Sequence, residues 1–300
     1  MKKTLFIISL LVLSQLSFGQ DFKSQFDELF EAGDTSKQIE LLKKWESQDP
    51  KNPELYTSYF NYYFQKARQE RISLTGQELK GKTFQITDST GNVAGYLGSE
   101  IHYDSEQLKK GLDKIEEGIE LYPDRLDMRF GKIYTLGQAE MWTEFTEEII
   151  KTVRYSKVNN NDWKWTYNEK QENGQEFFLS SLQDYQLQLY QTENDSLLKN
   201  MRTIAEEILK IYPNHIESLT NISITYLLIK EYQKGIDMLL KAEKINPNDI
   251  VVLSNIAHGY KLKGDFANSI KYYEKVVNSG DQDAVNFAKQ QIEILRKKQN

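Results

Sequence analysis

The chain has 300 residues, with 38 Lys and Arg against 44 Asp and Glu, a net charge of −6, and no cysteine. This acidic balance argues against a nucleic acid or an anionic membrane as the main partner, because both favour a basic surface. Without cysteine, the fold cannot be held together by disulfides.

The first 19 residues have the pattern of a secretory signal peptide. A basic start, Met1–Lys3, precedes an apolar run from Leu5 to Leu13, and Ser17-Phe18-Gly19 places small residues where a signal peptidase requires them. We expect cleavage after Gly19. The apolar run is shorter than the ~20 residues that span a bilayer, although a retained anchor remains the alternative. The mature protein is therefore expected in the periplasm of a Gram-negative bacterium or outside the cell, with no membrane span.

Residues 20–70 are predicted to be helical. Apolar residues recur there at steps of three and four, and Asp34, Asn52 and Pro53 are typical of helix starts. The aromatic stripe between Leu55 and Phe64 is interpreted as core packing between helices rather than as a ligand-stacking face.

Two segments interrupt the helical pattern. Residues 71–103 predict a β-hairpin, because Phe84-Gln85-Ile86 alternates, Asp88–Asn92 is rich in turn residues, and an apolar run follows. After a second helical region, 104–156, an asparagine-rich loop at 157–174 carries alternating aromatics, namely Trp163, Trp165 and Tyr167. Flat rings of this kind could bind a carbohydrate or another small ligand, and this is the alternative function.

The segment 175–281 contains a repeat. A shift of 34 residues superimposes Leu219 on Leu253, Tyr226 on Tyr260, and the turn residue Pro213 on Pro247. Helical spacing within a 34-residue period is typical of helix-turn-helix arrays, in which each unit buries its apolar face against its neighbours. Residues 282–300 then form one more amphipathic helix, which we expect to cap the array. The predicted fold is all-α, a solenoid of helix-turn-helix repeats with a small β-hairpin insertion.

These residues resemble the tetratricopeptide repeat family, strongly over 216–281 and more loosely over 21–213. The resemblance implies a scaffold that binds a protein or peptide in a concave groove lined by the first helix of each unit. The residues that this assigns to the groove, off the core stripe, are Thr220, Asn221, Ile224, Leu228, Ser254, Asn255, His258 and Lys261. Members that clamp a peptide carboxylate use basic residues where this chain has Thr220, Ile224 and Val251, so such a clamp is not expected.

No catalytic, metal or cofactor site is predicted. Gly76–Thr83 matches the phosphate-loop pattern literally, but it lies in the insert, without the preceding strand and following helix that hold phosphates in that motif. The three histidines, His102, His215 and His258, are too scattered for metal ligation. The sequence therefore favours an exported, non-enzymatic binding scaffold, with an enzyme built on the inserts as the remote alternative.

Overall fold

The computed structural model describes residues 22–78, 83–278 and 280–299. The predicted signal peptide and its cleavage site lie outside these residues. The chain divides into two compact units, one reaching to Met141 and including Asp162–Gln171, the other formed by Trp142–Asn161 and Glu172–Asn300. Within the described ranges, none of the helices combines the length and the hydropathy that a bilayer crossing requires.

Within the described residues, the first unit contains five α-helices and a sheet. The helices are α1 (22–31), α2 (Thr35–Gln48), α3 (Pro53–Ala67), α4 (Ser105–Leu121) and α5 (Leu126–Gln138). Asp34 and Asn52 cap α2 and α3, each accepting a backbone N–H bond near the start of its helix. Trp45 is buried and stacks on Phe22, with ring centroids 5.6 Å apart. Much of the aromatic stripe of α3 is buried, as core packing requires.

A three-stranded antiparallel sheet connects α3 to α4. Its strands are β1 (Arg68–Thr75), β2 (Thr83–Thr87) and β3 (Val93–Tyr103), in the order β1-β3-β2. The expected hairpin is confirmed as β2 and β3. The third strand, β1, was not expected, because the sequence pattern placed the end of a helix near Glu70, whereas α3 ends at Ala67.

The second unit is helical. It contains α6 (Trp142–Val158), α7 (Gly174–Gln191), α8 (Leu198–Ile211), α9 (Ile216–Leu228), α10 (Tyr232–Ile245), α11 (Ile250–Lys263), α12 (Phe266–Val277) and α13 (Gln282–Gln299). From α8 to α13, each helix packs against the next. Ala288 and Leu295 of α13 are fully buried in the core that α11 and α12 share, so α13 closes this stack.

Residues 34 apart have the same role in the two repeats. Leu219 and Leu253 are equally buried, and Ala242 matches Val276. Gly235 is small because an added Cβ would lie 2.9 Å from the Leu227 side chain and 3.0 Å from the carbonyl oxygen of Ser223. Its counterpart, Ser269, is also buried and donates a 2.7 Å hydrogen bond to the carbonyl of Ala257. The predicted fold class is confirmed: helix-turn-helix repeats with a small β insertion and a closing helix.

Candidate functional site

The predicted groove residues are all accessible on two helices of the second unit. All eight lie on α9 and α11, which are neighbours, and each is half-buried or exposed. By contrast, Leu219, Ile222 and Ile256 on the other faces of these helices are buried. Leu228 is the most exposed apolar residue of the set, at 47%. The 3.6-residue period of the helix therefore separates the residues that seal the stack from those that remain available to a ligand.

A third helix contributes to this surface, and the sequence analysis did not include it. Gln183 of α7 accepts a hydrogen bond of 2.7 Å from the side-chain amide of Asn221. Leu187 and Tyr190, one and two turns further along α7, are about half exposed. Their apolar character outside the buried stripe of α7 was the available signal. We call the combined surface of α7, α9 and α11 the repeat groove.

Two neighbouring cavities lie between α7 and α9. The first has a volume of about 350 Å³ and is lined by Leu187, Tyr190 and Ile224, among others, with Asp184 as its charged residue. The second, of about 330 Å³, is lined by Tyr190 and Leu228 and carries Glu193 and Asp195. Tyr190 belongs to both cavities. An apolar floor with carboxylates at its margin fits an apolar side chain flanked by a basic one.

A larger and more polar cavity, of about 850 Å³, adjoins the groove at Gln183. Side-chain amides dominate its wall, which includes Asn160, Asn161, Asn173, Gln175 and Gln183. Its charged residues are Glu176 and Glu217, again acidic. Among the described residues that line these three cavities, none is a lysine or an arginine. Amide groups both donate and accept hydrogen bonds, so this wall suits the backbone of an extended peptide.

His215 is held at the edge of the amide cavity. Its Nδ1 lies 2.8 Å from Ser218 Oγ and its Nε2 lies 3.2 Å from the carboxylate of Glu217. Burial lowers the pKa of His215 below its usual 6.5, and the opposing effect of Glu217 is smaller. The imidazole is therefore neutral at pH 7 and leaves the cavity acidic.

The α11 end of the groove has a different character. Lys261 donates a 2.8 Å hydrogen bond to Gln291 of α13, which fixes its ammonium group at the last helix. Burial, followed by the charge of Lys261, lowers the pKa of His258. Asn255, the repeat equivalent of Asn221, is half-buried on the same face. The acidic cavities are thus at α7 and α9, and the single groove lysine of the predicted set lies at the opposite end.

The aromatic insert does not form the flat surface proposed for carbohydrate binding. Trp163 is fully buried, Trp165 packs edge-on against Phe130 with centroids 6.3 Å apart, and only Tyr167 is largely exposed. Backbone bonds of 2.9 Å join Lys164 to Asp124 and Leu126, so the segment is built into the first unit. The prediction that Trp163 contacts a ligand is wrong. Trp163 is a core residue, because the loop folds back over the start of α5.

A buried ion network holds this segment. The Arg125 guanidinium pairs with Glu54 through bonds of 2.7 and 3.2 Å and with Asp127 through bonds of 2.8 and 2.7 Å. Glu54 also accepts the backbone N–H of Tyr167 at 2.8 Å. Burial alone would lower the pKa of Arg125, but the hydrogen bonds to Asp127 and Glu54 outweigh it and raise the pKa. This network is structural, because its charged groups are already paired with one another.

The phosphate-loop match is only partly described. Gly76–Glu78 form a bend after β1, residues 79–82 lie outside the described residues, and Thr83 begins β2. A strand therefore follows where the working motif requires the N-terminus of a helix. Across the described parts of the chain, no cluster of three His, Cys, Asp or Glu side chains is placed to hold a metal ion.

Comparison with known proteins identifies the repeats. The pattern that defines the tetratricopeptide repeat matches residues 216–249 and 251–279. No curated protein sequence matches the chain. Among solved structures, "YrrB: a TPR protein with an unusual peptide-binding site" is similar at 12% identity and a TM-score of 0.41, covering 83% of this chain and 97% of that one.

The MamA protein is also similar. One MamA structure has 12% identity and a TM-score of 0.37, covering 59% of this chain and 84% of that one. MamA from Desulfovibrio magneticus RS-1 has 14% identity and a TM-score of 0.37, covering 57% and 84%. At these identities and scores, the three likenesses give no information on what this chain binds.

Proposed function

We propose that this chain, whose residues 216–249 and 251–279 match the tetratricopeptide repeat, is an exported, non-catalytic scaffold that binds an extended segment of a partner protein in the repeat groove. Tetratricopeptide repeats are interaction scaffolds, which supports the general class of protein–protein interaction. The partner segment would lie across α7, α9 and α11.

The observation that carries this proposal is the pair of cavities between α7 and α9. Together they present exposed apolar side chains, Leu187, Tyr190 and Leu228, beside three carboxylates. An apolar anchor in a pocket provides most of the affinity of such a complex, and complementary charge orients the ligand. We therefore expect a partner segment with a leucine- or phenylalanine-like anchor next to lysine or arginine.

Asn221 and Gln183 supply the polar part of the same site. In the free protein, Asn221 donates the 2.7 Å bond to Gln183 Oε1, while Gln183 Nε2 is buried with no partner among the described residues. A bound peptide strand could exchange this bond for backbone N–H and C=O groups, which any sequence provides. The amides would thus align the ligand, while the apolar cavities and carboxylates select its side chains.

The first experiment selects ligands for the full chain from a phage-displayed library of random dodecapeptides. The affinity of the selected peptides is then measured by calorimetry against a double variant, Ile224→Ala with Leu228→Ala. The two substitutions remove methylene and methyl groups that a bound peptide would bury, and they should therefore weaken binding by a factor of roughly ten or more. The matched control is Ile245→Ala, which truncates a similarly exposed apolar side chain on α10, outside the groove. Peptides that bind the double variant as well as the parent would place the site elsewhere.

Export is part of the proposal and needs its own measurement. The signal pattern at residues 1–19 supports it. Intact-mass and N-terminal sequencing of the protein from the envelope fraction of an expressing Gram-negative host should give a chain that begins at Gln20. A cytoplasmic protein that retains Met1 would contradict the export assignment and would leave the groove proposal untouched.

A further inference from the structure

The sheet of the first unit has one apolar face. In the pairing register, Leu74 lies opposite Leu97 on one side and Phe84 lies opposite Leu97 on the other, so the three side chains point to the same face. Side chains two residues away along each strand join them. The large apolar residues of this face are Ile72, Leu74, Phe84, Ile86, Leu97 and Ile101.

The opposite face of the same sheet is polar. Its polar side chains are Gln69, Arg71 and Ser73 from β1, Gln85 from β2, and Glu100 and His102 from β3, and Tyr96 of β3 is an aromatic residue among them. A sheet with this alternation normally packs its apolar face on a core and exposes its polar face. Here both faces are largely exposed, and the apolar face is not packed on a core.

The exposure of these side chains is large. Ile72 is 79% exposed, Phe84 73% and Leu74 69%. Such values mean that no other segment of the described chain covers these three side chains. Monomeric soluble proteins rarely expose contiguous apolar patches of this kind, and those that occur mark interaction sites.

The area of the face reaches the lower end of the range for a protein dimer. The six side chains together expose roughly 600 Å², so two copies packed face to face would bury at most about 1,200 Å² from these residues, and neighbouring side chains would add to this area. Two sheet faces of this kind can pack on each other at a spacing of about 10 Å with interdigitating side chains. A two-fold dimer requires only that one patch fits itself.

Charge favours a second copy over other occupants. The whole chain has a net charge of −6, whereas residues 68–103 contain four basic and four acidic residues, so this segment is neutral. Among the residues of the three strands, the charged side chains on the apolar face are Arg68 and Glu70, which have opposite signs. Two acidic chains can approach through such a neutral patch with little repulsion. An anionic lipid surface would instead require an excess of basic residues around it.

We propose that the apolar face of the β1-β3-β2 sheet is the homodimer interface of this protein, where two copies pack sheet against sheet. The interface lies on the first unit and is therefore separate from the repeat groove, which belongs to the second. Its role is to make the scaffold bivalent: two identical grooves in one particle would raise the avidity for a partner that displays repeated segments.

The test measures mass in solution by sedimentation equilibrium, with the full chain at concentrations from about 0.1 to 100 µM, the range over which interfaces of this size dissociate. The parent protein should have twice the mass of one chain. Phe84→Asp places a charge in the apolar face and should weaken the dimer at least about 100-fold, since an unpaired buried charge is costly. Gln85→Asp is the matched control, because it adds the same charge one residue away on the polar face and should leave the dimer intact.

A cross-linking experiment tests the same interface without Phe84→Asp, so its result does not depend on whether that substitution disrupts the sheet. Because the chain has no cysteine, Ser99→Cys introduces a single thiol on the apolar face, and His102→Cys introduces one on the polar face. A bis-maleimide with a spacer comparable to the ~10 Å separation of packed sheets should join two Ser99→Cys chains and should not join His102→Cys chains.

Each remaining outcome overturns the proposal. A parent protein that is monomeric at the highest concentration excludes the dimer. A dimer that survives Phe84→Asp uses another surface. Monomers that instead bind phosphatidylcholine or phosphatidylglycerol vesicles, and lose this binding in Phe84→Asp, would assign the face to lipid. The groove variant Ile224→Ala with Leu228→Ala should not change the dimer, so failure of one proposal is distinguishable from failure of the other.

Discussion

At the scale of single residues, the turn inside each repeat shows how one backbone requirement is met in two ways. Gly264 ends α11 with φ of 84°, and Lys230, 34 residues earlier, has φ of 65° after α9. Both positions need the left-handed conformation that closes a helix. Glycine adopts it freely, whereas a residue with a Cβ does so at a cost of roughly 1 kcal/mol.

Replacing Lys230 by glycine should therefore stabilise the second unit. We expect Lys230→Gly to raise the free energy of unfolding by about 0.5–1 kcal/mol. Lys230→Ala, which loses the charge but keeps the Cβ, is the control and should have little effect. Urea unfolding followed by far-ultraviolet circular dichroism measures both. Equal stability of the glycine and alanine variants would show that the positive φ is not strained.

His215 gives the second unit a pH dependence whose sign follows from its pKa. Because burial lowers the pKa of His215 in the folded protein, protons bind the unfolded chain first as the pH falls below 6.5. The contribution of His215 to stability is complete above pH 6.5 and is lost as the pH falls toward the lowered folded-state value.

We expect the parent protein to lose more thermal stability between pH 7 and pH 5 than His215→Gln does. Glutamine keeps a polar side chain beside Ser218 and cannot be protonated in this range. His258→Gln should likewise lose less thermal stability than the parent between pH 7 and pH 5, because the pKa of His258 is lowered as well. If the melting temperatures of the parent and His215→Gln fall in parallel with pH, His215 makes no contribution.

At the scale of elements, the Arg125 network explains why the aromatic insert is a structural segment. Arg125 precedes α5, Glu54 lies in the first turn of α3, and Tyr167 belongs to the insert, so one guanidinium joins three separate segments of the first unit. Breaking a buried pair by removing one partner leaves the other charge uncompensated, which is more costly than the pair itself is stabilising.

Removal of the guanidinium should accordingly destabilise the first unit. We expect Arg125→Ala to cost about 3–5 kcal/mol. The double variant Arg125→Met with Glu54→Gln should cost clearly less, because Glu54, the more deeply buried of the two carboxylates that pair with Arg125, is neutralised together with it. Tryptophan fluorescence during guanidinium unfolding reports the change, because three of the four tryptophans, Trp45, Trp163 and Trp165, lie in the first unit. A double variant that is as unstable as Arg125→Ala would mean that packing, not charge, determines the effect.

At the scale of the whole molecule, charge is distributed unevenly. The cavities at α7 and α9 are acidic, the sheet segment 68–103 is neutral, and the entire chain carries −6. An acidic groove attracts basic segments at low salt. The attraction weakens at physiological salt, where exposed charges separated by more than about 8–10 Å are largely screened.

Neutralising the groove should remove this selectivity. We expect the triple variant Asp184→Asn, Glu193→Gln and Asp195→Asn to weaken the binding of lysine-containing groove peptides by roughly tenfold at low salt. It should also flatten the dependence of their affinity on salt, while peptides with an apolar anchor and no basic residue bind as before. The matched control neutralises three exposed carboxylates that lie outside the three cavities, Glu120, Glu169 and Glu172. An unchanged salt dependence in the triple variant would exclude a role for these carboxylates.

The sequence by itself determined the repeats. The 34-residue period, the apolar steps of three and four, and the turn residues are local features, and local features decide where a helix begins, where it ends and which of its faces is apolar. From them follow the helices of the second unit, the closing helix, and the placement of residues such as Asn221 and Ile224 on an accessible face.

Only the tertiary structure decided which distant segments meet. Periodicity does not predict that Trp163 is buried whereas Phe84 is exposed, because both are aromatic residues in segments that interrupt the helical pattern. It also cannot place Gln183 beside Asn221, 38 residues away, or add β1 to the predicted hairpin. These outcomes depend on contacts between parts of the chain that are remote in sequence, and the free energy of burying a side chain is fixed by whatever packs on it rather than by its neighbours along the chain.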